Sequence, residues 1–145
     1  MKELLLAPSR TGSLYAFSTK DGHLLWKHEG NLKYNTKVIV KDPYLFIGGW
    51  NFDFFCFRLD GSINWKYRAS FRIVENALVH NNTVYFDAHD SYVYALDAPT
   101  GKLKWRYRAD YDQPTEMLLI GNELLFGSKD FLEVLDPQSG KRIRK

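Results

Sequence analysis

Hydrophobic and polar positions along this chain alternate in short runs that turn residues interrupt. The stretch 92–108, YVYALDAPTGKLKWRYR, holds two such runs on either side of Pro99-Thr100-Gly101. Alternation with a period of two is typical of β-strands, and Pro, Thr and Gly in sequence favour a tight turn. The pattern therefore predicts a β-hairpin. Stretches such as 36–49, TKVIVKDPYLFIGG, read in the same way as two apolar strands around a polar turn.

The predicted hairpins repeat every 39 or 40 residues. The repeat is marked by four glycines, of which the first three are followed four positions later by a tryptophan and the fourth by Arg144: Gly22, Gly61, Gly101, Gly140, Trp26, Trp65 and Trp105. Each repeat holds about four short strands, and an all-strand repeat of this length indicates a β-propeller. We predict an all-β single domain, residues 1–145, with blades at about 1–30, 31–70, 71–110 and 111–145.

The third repeat carries a recognisable motif. Residues 95–105, ALDAPTGKLKW, resemble the A-x-D-x-x-x-G-K-x-x-W repeat of the PQQ-like propellers, the family of the quinoprotein dehydrogenases and BamB. The other repeats match it more weakly. The resemblance implies that each tryptophan docks between blades against the turn of a neighbour, and that the glycines form those turns.

The strand count predicts that the ring is not completed by one chain alone. The repeats supply three, four, four and a shortened set of four strands, and an open stack of blades would expose two apolar faces. We expect half of an eight-bladed ring completed by a homodimer, since eight is the blade number of the quinoprotein relatives. The alternatives are a closed four-bladed propeller and a chain that is half of a larger polypeptide.

Two groups of side chains are candidates for contact with a partner. Trp50 and Phe52 fall at a turn where the other repeats have polar residues, and they predict either a partner or ligand contact or a plug between blades. Arg68, Arg106 and Arg108 lie on the outward face of the last strands. They predict a basic rim, or else the charged edge that prevents sheets from pairing with each other.

No motif for catalysis or metal binding is present in the sequence. Asp87-Ala88-His89-Asp90 is interpreted as a polar turn, with a bound cation as the alternative. Cys56 lies in an apolar strand, which predicts an unreactive thiol of the core. We therefore expect no enzymatic activity and no cofactor.

Composition narrows the possible partners. The net charge of +3 is small for a nucleic-acid-binding protein, which argues against nucleic acid as the partner. The chain has no membrane-length apolar segment and no signal-peptide pattern, so we expect a cytoplasmic protein without membrane contact.

Three functions fit these observations. The first is a noncatalytic protein-interaction or scaffold module, whose partners are another protein and a second copy of the chain. The second, implied by the resemblance, is a PQQ-binding domain or its remnant. The third is a binder of an acidic polymer or acidic protein through the basic rim.

Overall fold

Fifteen β-strands make up four antiparallel sheets in the computed structural model, which describes residues 3–30, 33, 36–110 and 114–145. Blade 1 has three strands and the other blades have four each, and the strands follow one another in chain order within each sheet. The strands of blades 1 and 2 are β1 (Leu4–Pro8), β2 (Leu14–Ser18), β3 (Leu24–His28), β4 (Ile39–Lys41), β5 (Tyr44–Gly48), β6 (Asp53–Arg58) and β7 (Ile63–Arg68). Those of blades 3 and 4 are β8 (Leu78–His80), β9 (Thr83–Ala88), β10 (Tyr92–Asp97), β11 (Leu103–Arg108), β12 (Leu118–Ile120), β13 (Glu123–Ser128), β14 (Phe131–Leu135) and β15 (Arg142–Arg144). The predicted all-β architecture and its strand count are thus confirmed.

The blades are held together by three apolar cores. Between blades 2 and 3, the Phe54 and Phe86 rings stack with centroids 4.2 Å apart. Leu14 of blade 1 lies in one cluster with Phe57 of blade 2, and Tyr85 of blade 3 lies in another with residues of blade 4. The middle strands of blades 2 and 3 are buried on both faces because a neighbouring sheet covers each face, and such strands read as continuous apolar runs.

Every blade but the last extends a tryptophan to the next blade. The Trp65 indole donates a hydrogen bond to the Ala98 carbonyl oxygen at 2.8 Å, and its ring lies over Gly101. A Cβ built on Gly101 would lie 2.6 Å from Cδ2 of Trp65, so this position has no room for a side chain. The same two contacts recur for Trp26, which bonds Leu59 and covers Gly61, and for Trp105, which bonds Pro137 and covers Gly140.

The last strand of each blade holds these residues at one register position. Trp26, Trp65 and Trp105 pair with Ala16, Cys56 and Ala95 in their own sheets, and Arg144 pairs with Val134 in the same way. Directly opposite residues of an antiparallel pair share a face. Arg144 is therefore the structural counterpart of the tryptophans, on the face of blade 4 that points away from blade 3.

The face of blade 1 that points away from blade 2 carries exposed apolar groups. Leu14 and Ala16 face blade 2, so alternation turns Tyr15 and Phe17 to the other side, where Leu5 lies opposite Phe17. The Tyr15 and Phe17 rings stack with centroids 6.1 Å apart, and Leu5 is 58% exposed.

Blade 4 ends in a similar surface. Leu124 and Phe126 pack against blade 3, which turns Leu125 and its cross-strand neighbours outward. Leu118, which pairs with Leu125, is 57% exposed, and Leu132, two residues before Val134 on the same face of β14, is 53% exposed. We call the two surfaces the outer face of blade 1 and the outer face of blade 4.

Candidate interaction surface

The turn between β5 and β6 presents an exposed tryptophan. Trp50 is 43% exposed, and its amide donates to the Lys33 carbonyl oxygen at 3.0 Å. Phe52, two residues later, has a φ of 76°, in the left-handed region that non-glycine residues rarely adopt. The equivalent turns of the other blades also have a residue at positive φ, at Gly12, Ser91 and Lys129, so this conformation belongs to the repeat. Blade 2 differs from them in having Trp50 and Phe52 at this turn.

Two arginines frame these rings. The guanidinium of Arg72 lies 5.2 Å from the Trp50 ring centre and 5.7 Å from that of Phe71, and Arg68 lies 5.5 Å from that of Phe52. The Phe52 and Phe71 rings stack at 5.4 Å with 15° between their planes. We call these five residues the aromatic–arginine patch. Cation–π contacts of this kind hold the cations in place beside exposed apolar surface.

His89 of blade 3 is joined to Arg72 of the patch by two hydrogen bonds. The Arg72 Nε–H donates to His89 Nδ1 at 3.2 Å, and the His89 amide donates to the Arg72 carbonyl oxygen at 3.0 Å. Burial, and next the positive charge of Arg72, lower the pKa of His89. The imidazole therefore favours its neutral form, which leaves Nδ1 free to accept the hydrogen bond from Arg72.

The structure separates the residues that the sequence singled out. Trp50, Phe52 and Arg68 meet in the patch, whereas Arg106 and Arg108 lie on β11 of blade 3. There the Arg106 guanidinium is 4.8 Å from the ring centre of Tyr92.

Phe71 and Arg72 were not identified from the sequence. They lie in the link after β7, outside the strands whose pattern marks the repeat. An Arg beside a Phe at the start of a link was the only available signal.

The predicted basic rim is partly neutralised. Arg68 Nη1 lies 3.1 Å from Oδ1 of Asp53, and Lys66 Nζ lies 4.0 Å from its Oδ2. The Asp53 side chain is 6% exposed, so one nearly buried carboxylate faces two of the cations of β7. The charge that blade 2 presents to an acidic polymer is accordingly smaller than the sequence suggests.

Asp87 corrects one interpretation of the sequence. It was assigned to a polar turn, but it lies within β9 and is fully buried. Neither of its carboxylate oxygens has a hydrogen-bond partner among the described residues. Burial, and next the charge of Glu75, raise the pKa of Asp87 to about 8. Its carboxyl group is therefore predominantly protonated at neutral pH.

The repeat shows what is unusual about this acid. By strand register Asp87 corresponds to Gly48 and Gly127, whose amides donate to Thr36 Oγ1 and Thr115 Oγ1. Blade 3 thus has a buried acid where blades 2 and 4 have a glycine bonded to a threonine.

The side chains that could bind a metal ion are dispersed in the described part of the chain. It contains no group of three or more His, Cys, Asp or Glu side chains placed to hold a metal ion. Burial raises the pKa of the Cys56 thiol to about 11, which keeps it protonated and unreactive. No described helix has the length and apolarity that a membrane crossing requires.

Comparison with known proteins identifies the repeat. A family model described as "Outer membrane protein assembly factor BamB" matches residues 10–145. The assembly factor BamB of Legionella pneumophila (strain Paris) is 23% identical, over 97% of this chain and 40% of its own length. The crystal structure of BamB from Moraxella catarrhalis superposes with a TM-score of 0.86 at 17% identity, over 99% of this chain and 46% of that one.

An enzyme shares the fold as well. Quinohemoprotein alcohol dehydrogenase from Comamonas testosteroni superposes with a TM-score of 0.80 at 15% identity, over 99% of this chain and 33% of the enzyme. The chain spans less than half the length of each of these three relatives. On the match over residues 10–145, the chain belongs to the BamB-like family of PQQ-type β-propeller repeats.

Proposed function

We propose that this chain is a noncatalytic protein-interaction module that binds its partner through the aromatic–arginine patch. The observation that carries the proposal is the exposure of Trp50 beside Arg72, at a turn that has no aromatic residue in the other blades. Tryptophan and arginine are the residues most enriched at the energetic centres of protein interfaces. The arginines are already held on the rings, so little side-chain entropy is lost on binding.

The chemistry of the patch suggests the kind of partner. Guanidinium groups that lie on aromatic rings keep their edge N–H donors free, and these donors match a carboxylate. Arg68 already forms an ion pair with Asp53, whereas Arg72 donates a hydrogen bond through Nε to the neutral imidazole of His89. An acidic protein segment with an apolar side chain that covers Trp50 would fit both parts of the patch.

The family supports this assignment in general terms. The matched relatives are named outer membrane protein assembly factors, a name that describes work on other proteins. The chain covers less than half of them, and a binding role for this chain is our proposal.

Affinity capture with matched variants would test the proposal. Trp50→Ala and Arg72→Ala would be compared with the wild type and with Leu103→Ala, since Leu103 is 44% exposed and lies on β11. We expect the same specific protein to be captured by the wild type and Leu103→Ala and lost with both patch variants. Equal capture by all four proteins would refute the role of the patch. Binding to heparin that the patch variants retain would favour the acidic-polymer alternative.

We also propose that two copies of the chain form one eight-bladed ring. The chain matches 46% of BamB with little distortion, so its four blades have the curvature of about half of that larger structure. Its two outer faces are apolar. The outer face of blade 1 corresponds to the face with which the later blades contact the blade before them, and the outer face of blade 4 corresponds to the face with which the earlier blades contact the blade after them. A head-to-tail arrangement of two copies would cover both faces of each copy.

A further inference from the structure

The turn that holds Gly22 is built like a tryptophan slot, but no side chain of the described residues fills it. Gly61, Gly101 and Gly140 each lie under a tryptophan of the preceding blade, whereas at Gly22 no atom of the described residues lies within 4 Å of a built Cβ. Its φ of +75° matches the +72° of Gly101, and its amide donates a hydrogen bond to the Ser18 carbonyl oxygen, as the Gly101 amide does to that of Asp97. The slot is therefore preformed, and what it lacks is a planar group from a preceding blade.

Blade 4 carries a planar group at the matching position. Arg144 pairs with Val134 as Trp105 pairs with Ala95, and its side chain is 56% exposed. Its guanidinium is held by Glu123, with Nη1 and Nη2 at 2.7 Å and 2.6 Å from the two carboxylate oxygens. This bidentate pair fixes the plane of the guanidinium on the outer face of blade 4.

We propose that Arg144 of one copy occupies the Gly22 slot of a second copy. The proposal rests on the two-copy ring proposed above and specifies which faces meet. A guanidinium is flat, stacks on a peptide plane as an indole does, and has several N–H donors where an indole has one. Trp65 and Trp105 donate to carbonyl groups three residues before their glycines. Thr19 holds the corresponding place before Gly22.

Two acidic side chains lie near the slot and would attract a guanidinium, although an aspartate also precedes Gly61, which Trp26 covers. Asp21 is adjacent to Gly22, and its pKa is lowered chiefly by the hydrogen bond from the His23 amide, so it is ionised at neutral pH. Glu3 lies near the same turn, since its carboxylate accepts a hydrogen bond from Thr19 Oγ1 at 3.2 Å. Before two copies associate, the side chain at position 144 is in contact with water, which an arginine tolerates well. A tryptophan at this position would add to the apolar surface that a single copy exposes.

Sedimentation velocity on a set of variants would test the contact. Arg144→Ala should raise the dimer dissociation constant by about tenfold, the cost of one charged hydrogen-bonded contact. Arg144→Trp should lower it, because it restores the residue that the other three blades use. The emission of the new tryptophan should also shift to shorter wavelength as the protein concentration rises.

A matched pair of glycines controls for backbone strain. Gly22 and Gly121 both have positive φ, +75° and +59°, and both have open space around a built Cβ. Gly22→Ala should weaken the dimer because the new methyl group lies under the incoming guanidinium, whereas Gly121→Ala should leave the dissociation constant unchanged.

The outcomes separate the two proposals. A dimer whose dissociation constant is the same in the wild type, Arg144→Ala and Gly22→Ala would overturn this contact and leave the ring intact. A wild-type chain that sediments as a monomer at every concentration would overturn the ring and the contact together.

Discussion

The interfaces inside the chain and its two outer faces are made from the same strand pattern but differ in how well they are covered. Between blades 2 and 3, Phe54 and Phe86 stack at 4.2 Å and are at most 1% exposed. On the outer faces, Leu5 and Leu118 are more than half exposed. Each propeller blade thus has two apolar faces, one for each neighbouring blade. The apolar residues on a face are buried only where the neighbouring blade is present. The variants of packing contacts below test this difference from the largest expected effect to the smallest.

Removal of a bridging tryptophan should have the largest effect among these variants. Trp105→Ala deletes the ring over Gly140 and the hydrogen bond to Pro137, which together join blades 3 and 4. We expect the free energy of unfolding to fall by about 3 to 5 kcal/mol, as for other large-to-small aromatic truncations. Urea denaturation followed by circular dichroism would measure it. A loss below about 1 kcal/mol would mean that this contact does not hold the blades together.

A methyl group added beneath a tryptophan should have the next largest effect. Gly101→Ala places a Cβ 2.6 Å from Trp65 Cδ2 in addition to the strain at φ +72°. We expect a loss of about 2 to 3 kcal/mol, against about 1 kcal/mol for Gly121→Ala, which has the strain without the clash. Thermal unfolding of the two variants would provide the comparison, and equal shifts in Tm would contradict the packing described here.

Asp87 should make stability depend on pH. Its folded pKa of about 8 lies above the value of about 3.9 expected for an unfolded aspartate. Between these values the folded state binds more protons than the unfolded state, so the free energy of unfolding falls as the pH rises and levels off above about pH 8.

Asp87→Asn should flatten this dependence. The neutral amide has the shape of the protonated acid, so the variant should be more stable than the wild type at pH 8 by on the order of 5 kcal/mol. Urea titrations at pH 5 and pH 8 would show the effect, with Asp130→Asn, an exposed site, as the control. Parallel pH profiles for the wild type and Asp87→Asn would contradict the buried, protonated state.

The smallest effect is expected on the exposed side of the last strands. Arg106 is adjacent to Trp105 but points to the opposite face, where it stacks over Tyr92. Arg106→Ala should change the free energy of unfolding by about 0.5 to 1 kcal/mol, the value of an exposed cation–π contact. A loss as large as that of Trp105→Ala would reverse the assignment of the two faces.

Local patterns in the sequence were sufficient for the blades but not for the patch. Period-two alternation places Trp65 on a covered face and Lys66 on an exposed one. A shift of the strand by one residue would exchange the two faces, so the pattern determines the register. The contact between Arg72 and Trp50 joins two loops, and its geometry depends on how the loops leave their strands. No periodic constraint acts on such residues, so Phe71 and Arg72 could not be identified in advance.

The burial of Asp87 could not be predicted for a related reason. Asp-Ala-His-Asp has the composition of a turn, and the hydrogen-bond preferences of its side chains favour that interpretation. The structure continues β9 through Asp87 because its pairing with β10 extends to Ala88, opposite Tyr92. Tertiary pairing here overrides the local preference of the residues.

The mass of the chain in solution tests the account most directly. Size-exclusion chromatography with light scattering at micromolar concentration should give about twice the 17.0 kDa of a single chain, because the outer faces of blades 1 and 4 would then cover each other. A folded protein that keeps a mass of 17.0 kDa at every concentration would contradict the account and favour a four-bladed propeller closed within one chain.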